Sequence, residues 1–345
     1  MKNTTAPTLE SIVGQQRAVR FLSRAIEKDR LAHALLFSGI DGVGKQTAAT
    51  ATAMALNCTN RRAATACGAC RSCRKIISGH HPDMIWIQPR GASIKIDQIR
   101  DVQKRLIFAP VEGRRRVVVI NDAHTMNAEA SNAMLKMLEE PPDNTHLILT
   151  AHQASDLLPT IVSRCQPVSF SPLSLDVITA QLTAAKGLDE QTAVAVALLA
   201  KGSLGRAMRA DVGRWMAWRK KLMETITALC DSSVHALFAF AEELASDKDR
   251  LEDALDLIMF WFRDLLMAKV CPEKITNRDL QRLAERDSER FSIHDLVEKM
   301  TLVSETRQAI TRNVNRRLAL EVMLLGLVGK NVSSPKGDAK PFKRT

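Results

Sequence analysis

Four cysteines stand close together as Cys58-x8-Cys67-x2-Cys70-x2-Cys73. Two-residue gaps let neighbouring thiolates face one ion, and the eight-residue loop brings the fourth round to complete a tetrahedron. The spacing therefore predicts a closed structural Zn²⁺ site on Cys58, Cys67, Cys70 and Cys73. An iron–sulfur cluster is the second choice, but the x3-Cys-Pro that should follow C-x2-C-x2-C is missing. Four thiolates already close the site, so His80 and His81 are left out of it. Arg61, Arg62, Arg71, Arg74 and Lys75 make the module basic, which reads first as a solvated surface and second as a DNA contact.

A second chemistry lies just before the cysteines. Gly39-Ile40-Asp41-Gly42-Val43-Gly44-Lys45 is the G-x-x-x-x-G-K half of a phosphate-binding loop. Its glycines let backbone N–H groups close around phosphate oxygens at a helix N-terminus, and Lys45 adds a point charge. The position after the lysine should carry a hydroxyl for Mg²⁺, yet it is Gln46, with Thr47 one step and about 100° further round the helix. The acidic partner is also altered. Where two acids should follow a buried strand, the chain reads Asn121-Asp122-Ala123-His124. Either register is defective: Asp122 stands as a shortened water-polarising acid after Asn121, or as a magnesium acid before Ala123. ATP can bind such a loop, but two lesions in one centre argue against hydrolysis of ATP·Mg²⁺ by this chain.

The elements that must position these groups are legible. Strand-like segments at 32–38, 83–88, 116–120, 146–150 and 166–170 alternate with helical ones through residue 56, at 96–106 and at 128–139, the last stopped by Pro141-Pro142. That alternation predicts a parallel α/β sheet over residues 1–173, holding the cysteine module at 58–73. Three short helices follow at 174–186, 189–199 and 202–210, within a small helical lid at 174–212. Residues 213–330 read as all-helical. Trp215, Leu222, Ile226 and Leu229 share one face, and Leu255, Ile258, Phe262 and Leu265 another, while Leu318 to Val328 is apolar enough to pack inside a bundle. Residues 331–345 form a basic tail with no core-forming pattern, predicted to be disordered.

Composition fits this division. Of 345 residues, 46% are hydrophobic and 25% charged, which excludes a chain disordered throughout and supports two or three domains. No apolar run approaches the ~20 residues that span a bilayer, and the first ten residues have no signal-peptide core, so a cytoplasmic setting is expected. Lys and Arg exceed Asp and Glu by 49 to 38, a formal +11 that favours polyanionic surroundings. Cys165, Cys230 and Cys271 lie apart from the cluster.

The whole set resembles the clamp-loader branch of the AAA+ ATPases. The residues that carry the likeness are Ile12-Val13-Gly14-Gln15, the His33 to Phe37 strand, the phosphate loop and the inserted cysteines. Asn121 to His124, Leu135 to Pro142 (L-K-M-L-E-E-P-P), Leu158 to Cys165 (ending S-R-C) and Asn313-Val314-Asn315 complete it. Within the branch, the eroded centre resembles the non-motor subunits of bacterial DNA polymerase III rather than the gamma/tau motor. The resemblance implies an AAA+ sheet domain with a zinc insert, a helical lid and a C-terminal collar. It implies that Arg164 is an arginine finger acting in trans on a neighbour's ATP. Val13 and Gly14 would lie near an adenine, Thr150 to His152 in a first sensor region and Arg206 in a second.

The implied partners are gamma/tau-type and delta-type subunits in a hetero-pentamer that loads a sliding clamp onto primed DNA, within a nucleotidyltransferase assembly and with no membrane. Two alternatives stay open at this point. One is an ATP-hydrolysing motor of the same branch, and the other is a zinc-dependent nucleic-acid-binding protein with a vestigial loop.

Overall fold

The computed structural model describes residues 6–229, 233–312 and 314–329. Cys230, Asn313 and the basic tail named above lie outside them. Chain contacts divide the protein into two units: residues up to Leu182 with Ala200–Arg209, and Thr183–Leu199 with the chain from Ala210 onward.

The first unit is built on a five-stranded parallel sheet. In chain order its elements are α1 (Gln16–Glu27), β1 (Ala34–Ser38), α2 (Lys45–Asn57), α3 (Arg71–Ile77), β2 (Met84–Ile87), α4 (Ile96–Leu106), β3 (Arg116–Ile120), α5 (Ala128–Glu139), β4 (Thr145–Ala151), α6 (Pro159–Val162) and β5 (Gln166–Ser169). The strands lie in the order β2-β3-β4-β1-β5, every pair parallel. β3 and β4 are buried throughout, which explains their unbroken runs of Val, Ile and Leu. One face of the sheet packs on Ala18, Leu22 and Ile26 of α1 and the alanines of α2. The other packs on Ile99 and Val102 of α4 and Met134 and Leu138 of α5. α5 starts where the Asn127 side chain accepts the Ala130 N–H at 2.8 Å, and it ends before the two prolines. The parallel α/β architecture expected from the alternation of strands and helices is the one observed.

α6 is a single turn, because Pro159 can open a helix but cannot continue one from before it. The cysteine module also contains a helix, α3, that spacing did not announce. Seven residues with a charged outer face are too few to show a periodicity.

Three helices follow: α7 (Leu175–Lys186), α8 (Glu190–Leu199) and α9 (Leu204–Arg209). The second unit then runs through α10 (Val212–Leu229), α11 (Val234–Ser246), α12 (Lys248–Val270), α13 (Gln281–Ser288), α14 (Ile293–Thr311) and α15 (Arg316–Leu327). Leu255, Ile258, Phe262 and Leu265 are buried together with Leu222 and Ile226, as their helical spacing requires. α15 departs from expectation. Leu320, Met323, Leu324 and Leu327 face the core, but Leu318 and Val322 are 56% and 57% exposed, so it is a surface helix with one buried stripe. Among the described residues no helix is long and apolar enough to cross a membrane.

Candidate functional site

α2 joins the two candidate chemistries. The phosphate loop opens its N-terminus and Cys58 ends it, in an extended conformation that turns the chain into the cysteine module.

The ligand atoms of Cys58, Cys67, Cys70 and Cys73 all lie within 4.8 Å of one another. A tetrahedral zinc with sulfurs at about 2.3 Å sets them roughly 3.8 Å apart, so a small contraction suffices. The backbone has already turned its N–H groups onto the sulfurs. Cys67 N–H donates to Cys58 Sγ at 3.2 Å, Cys70 N–H to Cys67 Sγ at 3.3 Å, and Cys73 N–H to Cys70 Sγ at 3.4 Å. Burial works against ionisation of Cys70, but the N–H groups of Cys73 and Thr59 outweigh it and bring the thiol down to about 6. N–H groups of Ala69 and Cys70 lower Cys67 as well. Burial pushes Cys58 and Cys73 the other way. The donor set thus fits one soft divalent ion, which would draw the remaining protons off. His81 is buried but belongs elsewhere: its ring nitrogens meet Ser72 Oγ at 3.1 Å and the Asp83 N–H at 3.2 Å.

At the other end of α2, Gly44 holds φ 112° and hands the chain to Lys45. Lys45 is buried, and its ammonium turns back into the loop, bonding Gly39 O, Ile40 O (3.1 Å) and Asp41 Oδ1 (3.5 Å). The start of α9 seals the loop from outside. Gly205 N–H donates to Gly42 O at 2.8 Å. A Cβ on Gly205 would lie 2.8 Å from Gly42 Cα, and one on Gly42 would strike Ser203 Oγ, so both positions need glycine. This brings Arg206, half-buried, beside the loop, with its N–H on Ser203 Oγ. Val13 and Gly14 are brought close too, because buried Gln15 bonds Ser171 O at 2.7 Å and reaches Val43 O at 3.5 Å. Gln46 and Thr47 are exposed on the first turn of α2.

At the end of β3, Asn121 is only 2% exposed, and neither its amide oxygen nor its nitrogen has a hydrogen-bond partner among the described residues. Asp122 takes a left-handed φ of 50° and donates its N–H to the buried hydroxyl of Thr150 at 3.0 Å. His152 lies in the same neighbourhood, with Nε2 3.6 Å from Asp41 Oδ2 and its ring edge-on to His124.

Arg164 lies just before the edge strand β5. In the parallel register Leu35 faces Gln166 and Ser38 faces Ser169. Arg164 therefore precedes the amino ends of the strands, whereas the phosphate loop follows their carboxyl ends. At least about 13 Å of strand separates them. The guanidinium is 37% exposed and pairs with Glu139 Oε1 at 2.8 Å, while Thr160 O accepts from Nη1 at 3.0 Å. The next residue, Cys165, is buried, and burial pushes its thiol up to about 11, so it anchors the turn as an inert group.

A family model described as DNA polymerase III, delta subunit matches residues 14–174, and one described as DNA polymerase III, delta subunit, C terminal matches residues 214–328. The DNA polymerase III subunit delta' of Bacillus subtilis is 32% identical over 91% of this chain and 96% of its own length. That of Pseudomonas aeruginosa is 30% identical over 85% and 91%. The chain belongs to the DNA polymerase III delta' subunit family. DNA polymerase III subunit tau of Escherichia coli is 36% identical over 51% of this chain, covering 27% of that longer protein. Membership makes the chain a clamp-loader-type subunit of the replicative polymerase, as its motifs implied.

Two contacts in this family member escaped the sequence. Glu139 sits within the L-E-E-P-P block, but nothing in its spacing tells that it meets Arg164 across two elements. Asp83 is fully buried and accepts N–H groups of Val111, Glu112 and Gly113, each at 2.8 Å. Beside it, buried Arg116 gathers the carbonyls of Arg105, Phe108 and Ala109. The only advance signal was an arginine opening an otherwise apolar strand.

Proposed function

We propose that this chain is a non-hydrolysing clamp-loader subunit that supplies Arg164 to ATP held by a neighbouring subunit. The observation that carries the reading is the placement of Arg164, exposed at the end of the strands opposite its own phosphate loop. A cation there cannot serve its own loop and is free to serve another's. Its bond to Glu139 is a half-exposed surface pair, a class worth about 0–1 kcal/mol, so it holds the side chain ready without trapping it. Lys45 folded onto its own loop carbonyls, together with the uncharged Asn121, supports a loop that does not itself turn over ATP. The four cysteines hold a structural Zn²⁺ that fixes the end of α2. The partners are gamma/tau-type and delta-type subunits, acting together on a sliding clamp and primed DNA. The division into a sheet domain to 173, a lid at 174–212 and a helical collar from 213 belongs to this reading.

Reconstitution with gamma/tau-type and delta-type subunits tests it. Arg164→Ala should lower DNA-stimulated ATP hydrolysis by at least about ten-fold, because a finger contributes large factors at the site it serves. The assembled complex should still elute intact by size exclusion. Unchanged turnover in an intact complex overturns the finger assignment.

A further inference from the structure

We infer that the outward face of α1 is a track for single-stranded DNA. Arg17, Arg20, Arg24 and Lys28 recur at steps of three and four residues, which puts them on one side of the helix. All four are exposed, and Arg30 continues the line just past the helix end. They cover about 16 Å of helix axis. The first turn of α1 carries no acid. Asp29, between Lys28 and Arg30, turns away to Arg115 at 3.5 Å. Among the described residues, none of the five cations forms an ion pair with a carboxylate, and the one acid of the helix is Glu27 in its last turn.

A plain solvated face would stop there. This one also carries an aromatic ring: Phe21 is 39% exposed within the row of cations. It forms a shared wall, with Arg17, of two adjoining cavities. One, of about 440 Å³, is lined by the cations. The other, of about 460 Å³, is a polar recess against the edge strand β5, with Gln16 and Ser169 in its lining and Gly14, the residue expected near an adenine, at its side. Residues 39–45 of the phosphate loop line neither cavity. Cations that follow a backbone, a ring that stacks a base and a recess beside it are what a single strand requires. A duplex keeps its bases stacked and would leave Phe21 without a partner. The choice of DNA as the polyanion rests on the replication role proposed above. The track does not involve Arg164, so the two ideas fail separately.

The test is fluorescence anisotropy of the full chain with a labelled oligothymidine probe over a range of salt. The triple variant Arg20→Ala, Arg24→Ala, Lys28→Ala should lose at least about ten-fold in affinity, and its salt slope should fall by about 2. Phe21→Ala should lose roughly five-fold or more with the slope unchanged. Arg62→Ala with Arg74→Ala, which removes charge from the cysteine module, should stay within about two-fold of the parent under the same salt. Arg20→Lys with Arg24→Lys keeps the charge and should keep the slope, which guards against misfolding as the cause of loss. Parent-like binding by the triple variant overturns the track, as does an equal loss from the cysteine-module pair. Parent-like binding by Phe21→Ala, or tighter binding of duplex than of oligothymidine, overturns the single-strand assignment.

Discussion

The two ends of α2 are a natural experiment in how a site is kept or lost. At its carboxyl end four sulfurs converge, and the backbone supplies N–H donors to three of them. At its amino end the lysine bonds its own loop, a glycine of α9 sits on a glycine of the loop, and Asn121 after β3 is a buried amide with no partner among the described residues. The cysteine module draws every ligand from sixteen consecutive residues, so its chemistry stands complete in one segment. On the reading proposed above, a nucleotide centre would draw on α2, the end of β3 and α9, so a change at any one of them would disable the whole. The glycine loop would then persist for its packing against α9.

The largest effect that would sharpen this contrast is expected at the cysteines. Cys73→Ser should bring bound zinc from about one ion per chain to near none by atomic absorption. It should also lower the unfolding midpoint by on the order of 10 °C, since structural zinc carries folding energy. Acidification should release the ion, because the thiolates must regain protons to let it go. Zinc-free parent protein with the same midpoint would remove the contrast altogether.

Next comes Asp83→Ala, which leaves Arg116 buried without its carboxylate and should cost about 3–5 kcal/mol in chemical denaturation. Burial alone would raise the Asp83 pKa, but the N–H groups of Gly113, Glu112 and Val111, with Arg116, hold it below the ordinary value. Its contribution is therefore whole above about pH 4 and is lost as pH falls from there through the depressed value. The parent should lose stability over that window, and the variant should not show this component.

At the eroded end the effects shrink. Lys45→Ala should cost about 1–3 kcal/mol, the range for hydrogen bonds to a charged group. The isolated chain should show no ATP turnover for that change to abolish. Turnover that disappears with Lys45 would break the comparison and make this end a working motor. Smallest of all, Asn121→Leu should be neutral or stabilising by up to about 1 kcal/mol, because it removes two buried polar atoms that have no partner. A clear loss of stability would show that the amide is held by something it needs.

Much of this was legible in the chain itself. Local rules placed β3 at Arg116–Ile120, α4 at Ile96–Leu106 and α5 at Ala128–Glu139, since a buried parallel strand is an unbroken β-branched run and a helix stops before two prolines. The cysteine spacing predicted its own cluster. The exposed side of α15 was misread, because a run of leucines does not state which neighbour will cover it.

What the sequence by itself determined are the groups whose partners lie within a few residues: the tetrathiol module, the glycine loop, the strand and helix pattern, and the single acid, Asp122, where two were expected. Only the tertiary structure decided that Arg164 stands at the opposite end of the strands from its own loop, beside Glu139, and that Gly205 closes on Gly42. It likewise decided that Asp83 and Arg116 brace one loop together. These are contacts between segments far apart in the chain, fixed by strand order and register. A residue's type tells what it can bond, but only packing tells what it meets.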